Sequence, residues 1–223
     1  MTLNGITISG LTGEQVDSLF CLRFFVVAHP DRTPEALHDE GDEPVSFMSR
    51  PAELDRTISP HDSLFNVYVT QGSVQQYFVS ALEQVQLLDR LLSAHCGRSI
   101  TTVDAIADYA CHYGRLLRAL RAVRPGADLY AYDIDPDAIA FCAGHFGATG
   151  QVIGWDVDDA AGTERHGLLI CASLVTHTGC DFFTRVLGLW RRMLAPGGLL
   201  CFTYRAVPGS SAGGAVNWIT TDR

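Results

Sequence analysis

The chain has 223 residues, of which 47% are hydrophobic and 18% charged, and its formal net charge is −9. That length supports one α/β domain with a sizeable core plus an appended segment, and the composition is that of a globular chain rather than a disordered one. The negative balance repels a phosphate backbone, so nucleic acid is not an expected partner.

Residues 1–63 read as a partly irregular N-terminal arm. It holds a short alternation at Ile6 and Ile8 and an apolar segment over 19–28. A proline-rich stretch over 29–60 follows, with Asp39, Glu40, Asp42 and Glu43 clustered in it. The stretch reads as a solvated linker, with a lid or partner-binding role as the alternative. The apolar segment is about ten residues long and contains Arg23, well short of a membrane span. Glu14 and Asp17 precede it without a basic n-region, so no signal peptide is expected.

From residue 73 to about 94 the apolar positions Val74, Tyr77, Phe78, Ala81, Leu82, Val85, Leu88, Leu91 and Leu92 recur at helical spacing, and Cys96-Gly97 ends the helix. Short apolar runs then alternate with amphipathic helices, the pattern of βαβ units around a parallel sheet. The first run, 102–107, leads through a loop to a helix beginning near Gly114 and stopped by Pro125-Gly126. The second, 129–132, precedes Asp133, and Asp135-Pro136 suits an N-cap and first helical position for a helix ending at Gly147. A third run, 151–155, closes on Asp156. The fourth, 167–174, is followed by a helix capped by Asp181, and Pro196-Gly197-Gly198 turns the chain into a fifth run, 199–204.

Ligands of such a sheet bind at the carboxyl ends of its strands, which places the loop 108–114 at the expected site. The loop lacks the G-x-G-x-x-G that a dinucleotide pyrophosphate requires, having only Gly114, so a nicotinamide cofactor is disfavoured. Asp108 suits an ammonium, as an amino-acid cofactor would present, or else caps the turn. Asp133, about nineteen positions beyond Gly114, suits the two hydroxyls of a ribose, and Asp135 is the competing acid. Arg115, Arg118, Arg121 and Arg124 recur every three residues and read as a solvated helix stripe. The seven cysteines (Cys21, Cys96, Cys111, Cys142, Cys171, Cys180 and Cys201) stand singly. They are expected to be buried, reduced thiols of a cytoplasmic protein with no metal site.

Three segments resemble one family: 107–115 (Ala-Asp-Tyr-Ala-Cys-His-Tyr-Gly-Arg), 132–135 (Tyr-Asp-Ile-Asp) and 194–199 (Leu-Ala-Pro-Gly-Gly-Leu). They are similar to the cofactor loop, ribose acid and fifth-strand turn of the class I methyltransferases, which use S-adenosyl-L-methionine. The Cys-x-x-Gly-Arg-x-x-Arg run, Phe141-Cys142, 145–148, 173–177 and 59–65 resemble a bacterial small-molecule subgroup often encoded beside glycosyltransferases. The resemblance covers about 59–205. It implies a doubly wound Rossmann-like sheet with helices on both faces, a methyltransferase-like domain over 64–205 and a short tail over 206–223.

The resemblance further implies that Asp108, Tyr109 and the backbone of Ala110, Cys111, His112 and Gly114 hold the methionine part. Asp133 with Ile134 would meet the ribose side, Asp156 the adenine amino group, and Ser173 the pocket edge. Asp156 reads equally as an exposed loop acid. Tyr77 covers the cofactor or belongs to the core. His177 is the candidate base facing a small-molecule acceptor, or a loop histidine.

Two departures stand out. Ala110 and His112 replace family glycines, and a β-carbon there crowds the loop if the position needs positive φ. Too little chain follows the fifth run for the family's last two strands, so an exposed fifth-strand edge is expected, open to a second copy. The expected function is methyl transfer to a small molecule, the alternative a methyltransferase-like binding module without catalysis.

Overall fold

The computed structural model describes residues 2–3, 6–7, 9–10, 23–28, 54–156 and 164–204, the first four of these segments and residues 176, 177, 180 and 204 by backbone only. Residues 29–53 of the expected irregular stretch over 29–60, and the tail over 206–223, lie outside the described residues. In chain order the elements are β1 (Thr2–Leu3), β2 (Ile6–Thr7), β3 (Ser9–Gly10), β4 (Arg23–Ala28), α1 (Ser63–Thr70), α2 (Val74–Cys96), β5 (Ala105–Tyr109), α3 (Arg115–Val123), β6 (Asp128–Asp133), α4 (Pro136–Phe146), β7 (Thr149–Val152), β8 (His166–Cys171), α5 (Cys180–Met193) and β9 (Leu194–Tyr204). They fall into two compact units, His38–Trp155 and Met1–Leu37 with Asp156–Arg223. No described helix is long and apolar enough to cross a membrane.

In the unit His38–Trp155, β5 pairs with β6 and β6 with β7, all parallel. Parallel neighbours need a crossover, and α3 and α4 supply the two here. α4 packs on β6 and β7, while α3 packs on α2 and β6. The core is built from Val85, Leu88 and Leu92 of α2, Leu117 and Leu120 of α3, and Ile106, Ala107, Leu129 and Ala131 of the strands, all buried. Each such valine, leucine or isoleucine side chain contributes about 1.5–3 kcal/mol by leaving water. α4 begins and ends as its sequence dictates: Asp135 accepts from Asp137 N, Pro136 takes the first position, and Gly147 closes it at φ 59°. The third strand is 149–152 rather than 151–155, since pairing with β6 ends at Val152.

α1 was not expected from the sequence. Asp62 starts it, accepting from Phe65 N at 2.8 Å, and it leaves Leu64, Val67 and Val69 exposed. At the far end of α2 the buried Asp89 accepts from Ser99 Oγ at 2.8 Å and Ile100 N at 2.7 Å, tying the helix to the turn before β5.

In the second unit β8 is parallel to β9, with α5 packed on both. Here the structure corrects the sequence reading. The fifth strand is not an exposed edge, because β4 pairs antiparallel with it from Arg23↔Tyr204 to Ala28↔Leu199, and β3 pairs in turn with β4. The N-terminal arm supplies these strands, so a homo-oligomer built through that edge loses its basis: the ladder groups are already paired. The strand also begins earlier, at Leu194, with a register shift between His166 and Leu168. Gly198 is required there, because a β-carbon would lie 2.7 Å from the His166 carbonyl and 2.9 Å from that of Ala195. The cap of α5 is Gly179, and Asp181 sits in its first turn instead.

Three residues after β5 adopt left-handed backbone: Ala110 (φ 64°), His112 (φ 49°) and Gly114 (φ 70°). Only the last is glycine, and its missing β-carbon also spares contact with the Phe146 ring and Cys142 Sγ. Gly114→Ala is therefore expected to lower stability by about 2 kcal/mol or more in urea melts. His112→Gly should stay within about 1 kcal/mol of wild type, as relief of backbone strain offsets the lost side-chain contacts. Asp89→Ala, which strands the Ile100 N–H in the interior, should cost about 1–3 kcal/mol in the same measurement.

Candidate functional site

The site is built at the carboxyl ends of β5 and β6. β5 delivers Asp108 and β6 delivers Asp133, both buried. The loop between β5 and α3 folds back on β6 through its backbone: Ala110 N and Cys111 N donate to the Tyr132 carbonyl at 2.7 and 3.1 Å. His112 N donates to Asp133 Oδ2 at 2.7 Å, and Asp135 N to Asp133 Oδ1 at 3.0 Å. A carboxylate accepts about four hydrogen bonds, so two acceptor positions of Asp133 remain after these. Ile134, beside it, is 51% exposed and offers an apolar surface at that edge. Asp135 accepts from Asp137 N, capping α4, and from the Tyr113 hydroxyl at 3.2 Å.

Asp108 differs from its neighbour. No described residue donates a hydrogen bond to its carboxyl group, and burial pushes its pKa up to about 7, opposed by the Arg115 guanidinium and reinforced by Asp133. A buried carboxyl group without a donor is where a cationic ligand gains most. Arg115 itself is held away by Ser80 Oγ at 2.9 Å and Gln84 Oε1 at 2.8 Å.

Tyr109 stacks on Tyr132 at 5.8 Å and is core. Cys111 and Cys142 both donate to the His112 carbonyl, at 3.5 and 3.4 Å. Contact with Cys142, and then burial, raises the Cys111 thiol far above its ordinary range, so Cys111 is not a poised nucleophile. Cys96, Cys111, Cys142, Cys171 and Cys201 are all buried, and no metal-binding cluster exists among the described residues. Cys21 and the Cys180 side chain lie outside them.

The His112 imidazole turns toward α1. Its Nε2 is 3.2 Å from Ser63 Oγ and its Nδ1 3.6 Å from Asp62 Oδ1, while Asp62 Oδ2 accepts from the Tyr77 hydroxyl at 2.7 Å. Tyr77 is fully buried against Phe65, Tyr68 and Phe78. Sequence reasoning missed Asp62 and Ser63, since nothing local connects them to a loop about fifty residues away.

The arginine stripe is also corrected. Arg118 is buried, donates to the Asp55 and Thr57 carbonyls at 2.7 and 3.1 Å, and lies 5.0 Å from the Phe146 ring centroid and 5.4 Å from that of Tyr77. Arg121 donates to the carbonyls of Pro125, Ala127, Phe146 and Gly147. These guanidiniums clasp neighbouring segments instead of facing solvent.

Asp156, Ser173 and His177 belong to the second unit. Asp156 is exposed and pairs with Arg185 at 3.8 Å. Ser173 adopts φ 72°, and its N–H donates to Thr203 Oγ1. His177 ends a short 3-10 turn, and its side chain lies outside the described residues.

No protein-family model matches the chain, and no curated protein is similar to it in sequence. Solved structures are similar to it in fold. DesVI of Streptomyces venezuelae is 14% identical with a TM-score of 0.53, the match covering 70% of this chain and 61% of that one. The chain thus matches about three fifths of the length of DesVI. A TehB-like SAM-dependent methyltransferase from Corynebacterium glutamicum is 17% identical with a TM-score of 0.50, the match covering 71% of this chain and 95% of that one. The chain has the α/β, Rossmann-like fold of the class I SAM-dependent methyltransferases.

Proposed function

We propose that the chain is a methyltransferase that binds S-adenosyl-L-methionine at the loop after β5 and methylates a small-molecule acceptor. The observation that carries this reading is Asp108: a buried carboxyl group with no described donor, beside the start of α3, suits the ammonium of an amino-acid cofactor. Asp133, with acceptor capacity to spare, suits the ribose hydroxyls, and Ile134 the apolar edge of the nucleoside. The His112 ring is drawn off toward Asp62 and Ser63, which supports a loop that stays open despite the missing glycine.

The cofactor when bound supplies an electrophilic methyl group on a sulfonium. The residues of this chain contribute charge pairing at Asp108, orientation at Asp133 and exclusion of water, because in-line displacement depends chiefly on alignment and desolvation. His177 and Asp156 remain candidates for acceptor deprotonation and adenine contact, Ser173 for the pocket edge. The net charge of −9 favours a small acceptor over nucleic acid, and buried cysteines among the described residues fit a cytoplasmic setting.

A methyltransferase-like binding module is the second reading, favoured by the left-handed Ala110 and His112 where glycine is the easier residue. Incubation with methyl-labelled cofactor and a panel of hydroxyl, amine and sugar acceptors separates the two. Label transfer supports the enzyme. Tight cofactor binding with no transfer to any acceptor supports the module.

The pKa of Asp108 gives a second test. An ammonium beside it favours the ionised form, so binding at pH 6 should release close to one proton, and affinity should fall about tenfold per pH unit below 7 and level off above it. Calorimetry in buffers of different ionisation enthalpy reads the proton, and a pH-independent affinity contradicts the role. In the free protein the raised pKa means that the folded state holds this proton more tightly than the unfolded one. The group's contribution is then fully present below about pH 4 and lost as pH rises toward 7, and Asp108→Asn should remove that decline from stability measured over pH 4–8.

A further inference from the structure

The Ser63, His112 and Asp62 side chains stand in a row that the methyl-transfer reading does not use. Ser63 Oγ lies 3.2 Å from His112 Nε2, and the other ring nitrogen faces Asp62 Oδ1 at 3.6 Å. Asp62 is 1% exposed and fixed twice more, by Phe65 N at 2.8 Å and the Tyr77 hydroxyl at 2.7 Å, so it cannot swing away from the ring. His112, by contrast, is 39% exposed, and Ser63 is exposed too. A hydroxyl, an imidazole and a buried carboxylate in that order form the constellation that activates a serine as a nucleophile, recognised by roles and distances and not by sequence position.

Two surroundings fit the same chemistry. The cap of α1 engages Phe65 N, while the N–H groups of Ser63 and Leu64 at the helix start have no intrahelical acceptor and are available to an oxyanion. Val67, one helical turn from Ser63 on the same face, is 46% exposed, and Leu64 is 37% exposed, so an apolar acyl chain has surface to cover. His112 also holds a left-handed backbone, a strain that proteins tend to retain at working sites.

The geometry points to Ser63 as the nucleophile of a second, hydrolytic activity toward small carboxylic esters with a short apolar acyl group. Ser63 Oγ forms a bond to the acyl carbon while its proton passes to His112 Nε2. The ester C–O bond then breaks, and the departing alkoxide takes that proton from the ring. Water, deprotonated by the same nitrogen, cleaves the acyl-serine to release the carboxylic acid and restore the hydroxyl. Asp62 is a positioning residue that orients the ring. None of these steps involves the proposed cofactor.

The full chain, free of added cofactor, is treated with p-nitrophenyl butyrate and, separately, with a fluorophosphonate probe, and the modified peptide is located by mass spectrometry. Expected are nitrophenolate release above the buffer rate and a label on Ser63, both lost in Ser63→Ala. His112→Gly relieves backbone strain and keeps the fold, and it should lower the labelling rate by about 100-fold or more. Asp62→Asn still caps α1, since Asn caps as well as Asp, yet it should cut labelling at least about tenfold without a matching loss of thermal stability. The inference is overturned if the folded wild-type chain takes no label on Ser63, or if His112→Gly is labelled at the wild-type rate.

Discussion

The carboxylate of Asp133 receives one backbone N–H from the loop after β5, at His112, and another from the turn into α4, at Asp135. Through these two bonds a single buried side chain fixes the two loops that form the candidate site, and the Tyr132 carbonyl just before it takes two more N–H groups from the first loop. Hydrogen bonds to an ionised acceptor are about twice as strong as neutral ones, and here they replace water that the buried loop cannot reach. The left-handed conformations of Ala110 and His112 follow from this constraint. The chain must turn its amides toward β6 within a few residues, whatever side chains it carries, and strain of about 1–3 kcal/mol per residue is the consequence.

What the sequence made legible is what local chemistry decides. Asp135 followed by Pro136 and, later, Gly147 bounds α4 through interactions within one turn of each end. Asp108 and Asp133 could be placed at strand ends because apolar runs stop there. The hidden features depend on partners distant in the chain. The run 23–28 is a strand because β9 offers it a ladder, and nothing near it in sequence indicates that. Arg118 is buried because the carbonyls of Asp55 and Thr57 and three aromatic rings converge on it, whereas its spacing alone suggested an exposed stripe.

His112 joins both themes. It is legible in the sequence as a departure from a glycine-rich pattern, where a β-carbon is expected to crowd the loop. The structure gives the ring other partners, Asp62 and Ser63 on α1, so the substitution exchanges backbone freedom for a cross-link between the loop and a helix. The same residue thus bears on whether the loop admits a cofactor and on whether Ser63 is reactive.

A crystal structure of the chain grown with S-adenosylhomocysteine decides whether Asp108 and Asp133 hold an adenosyl amino acid. The ligand ammonium is expected against the Asp108 carboxylate and the ribose hydroxyls against Asp133, with the His112 ring still turned to Ser63. Ligand bound with its ammonium elsewhere, or a folded chain that takes up none at millimolar concentration, would contradict that reading.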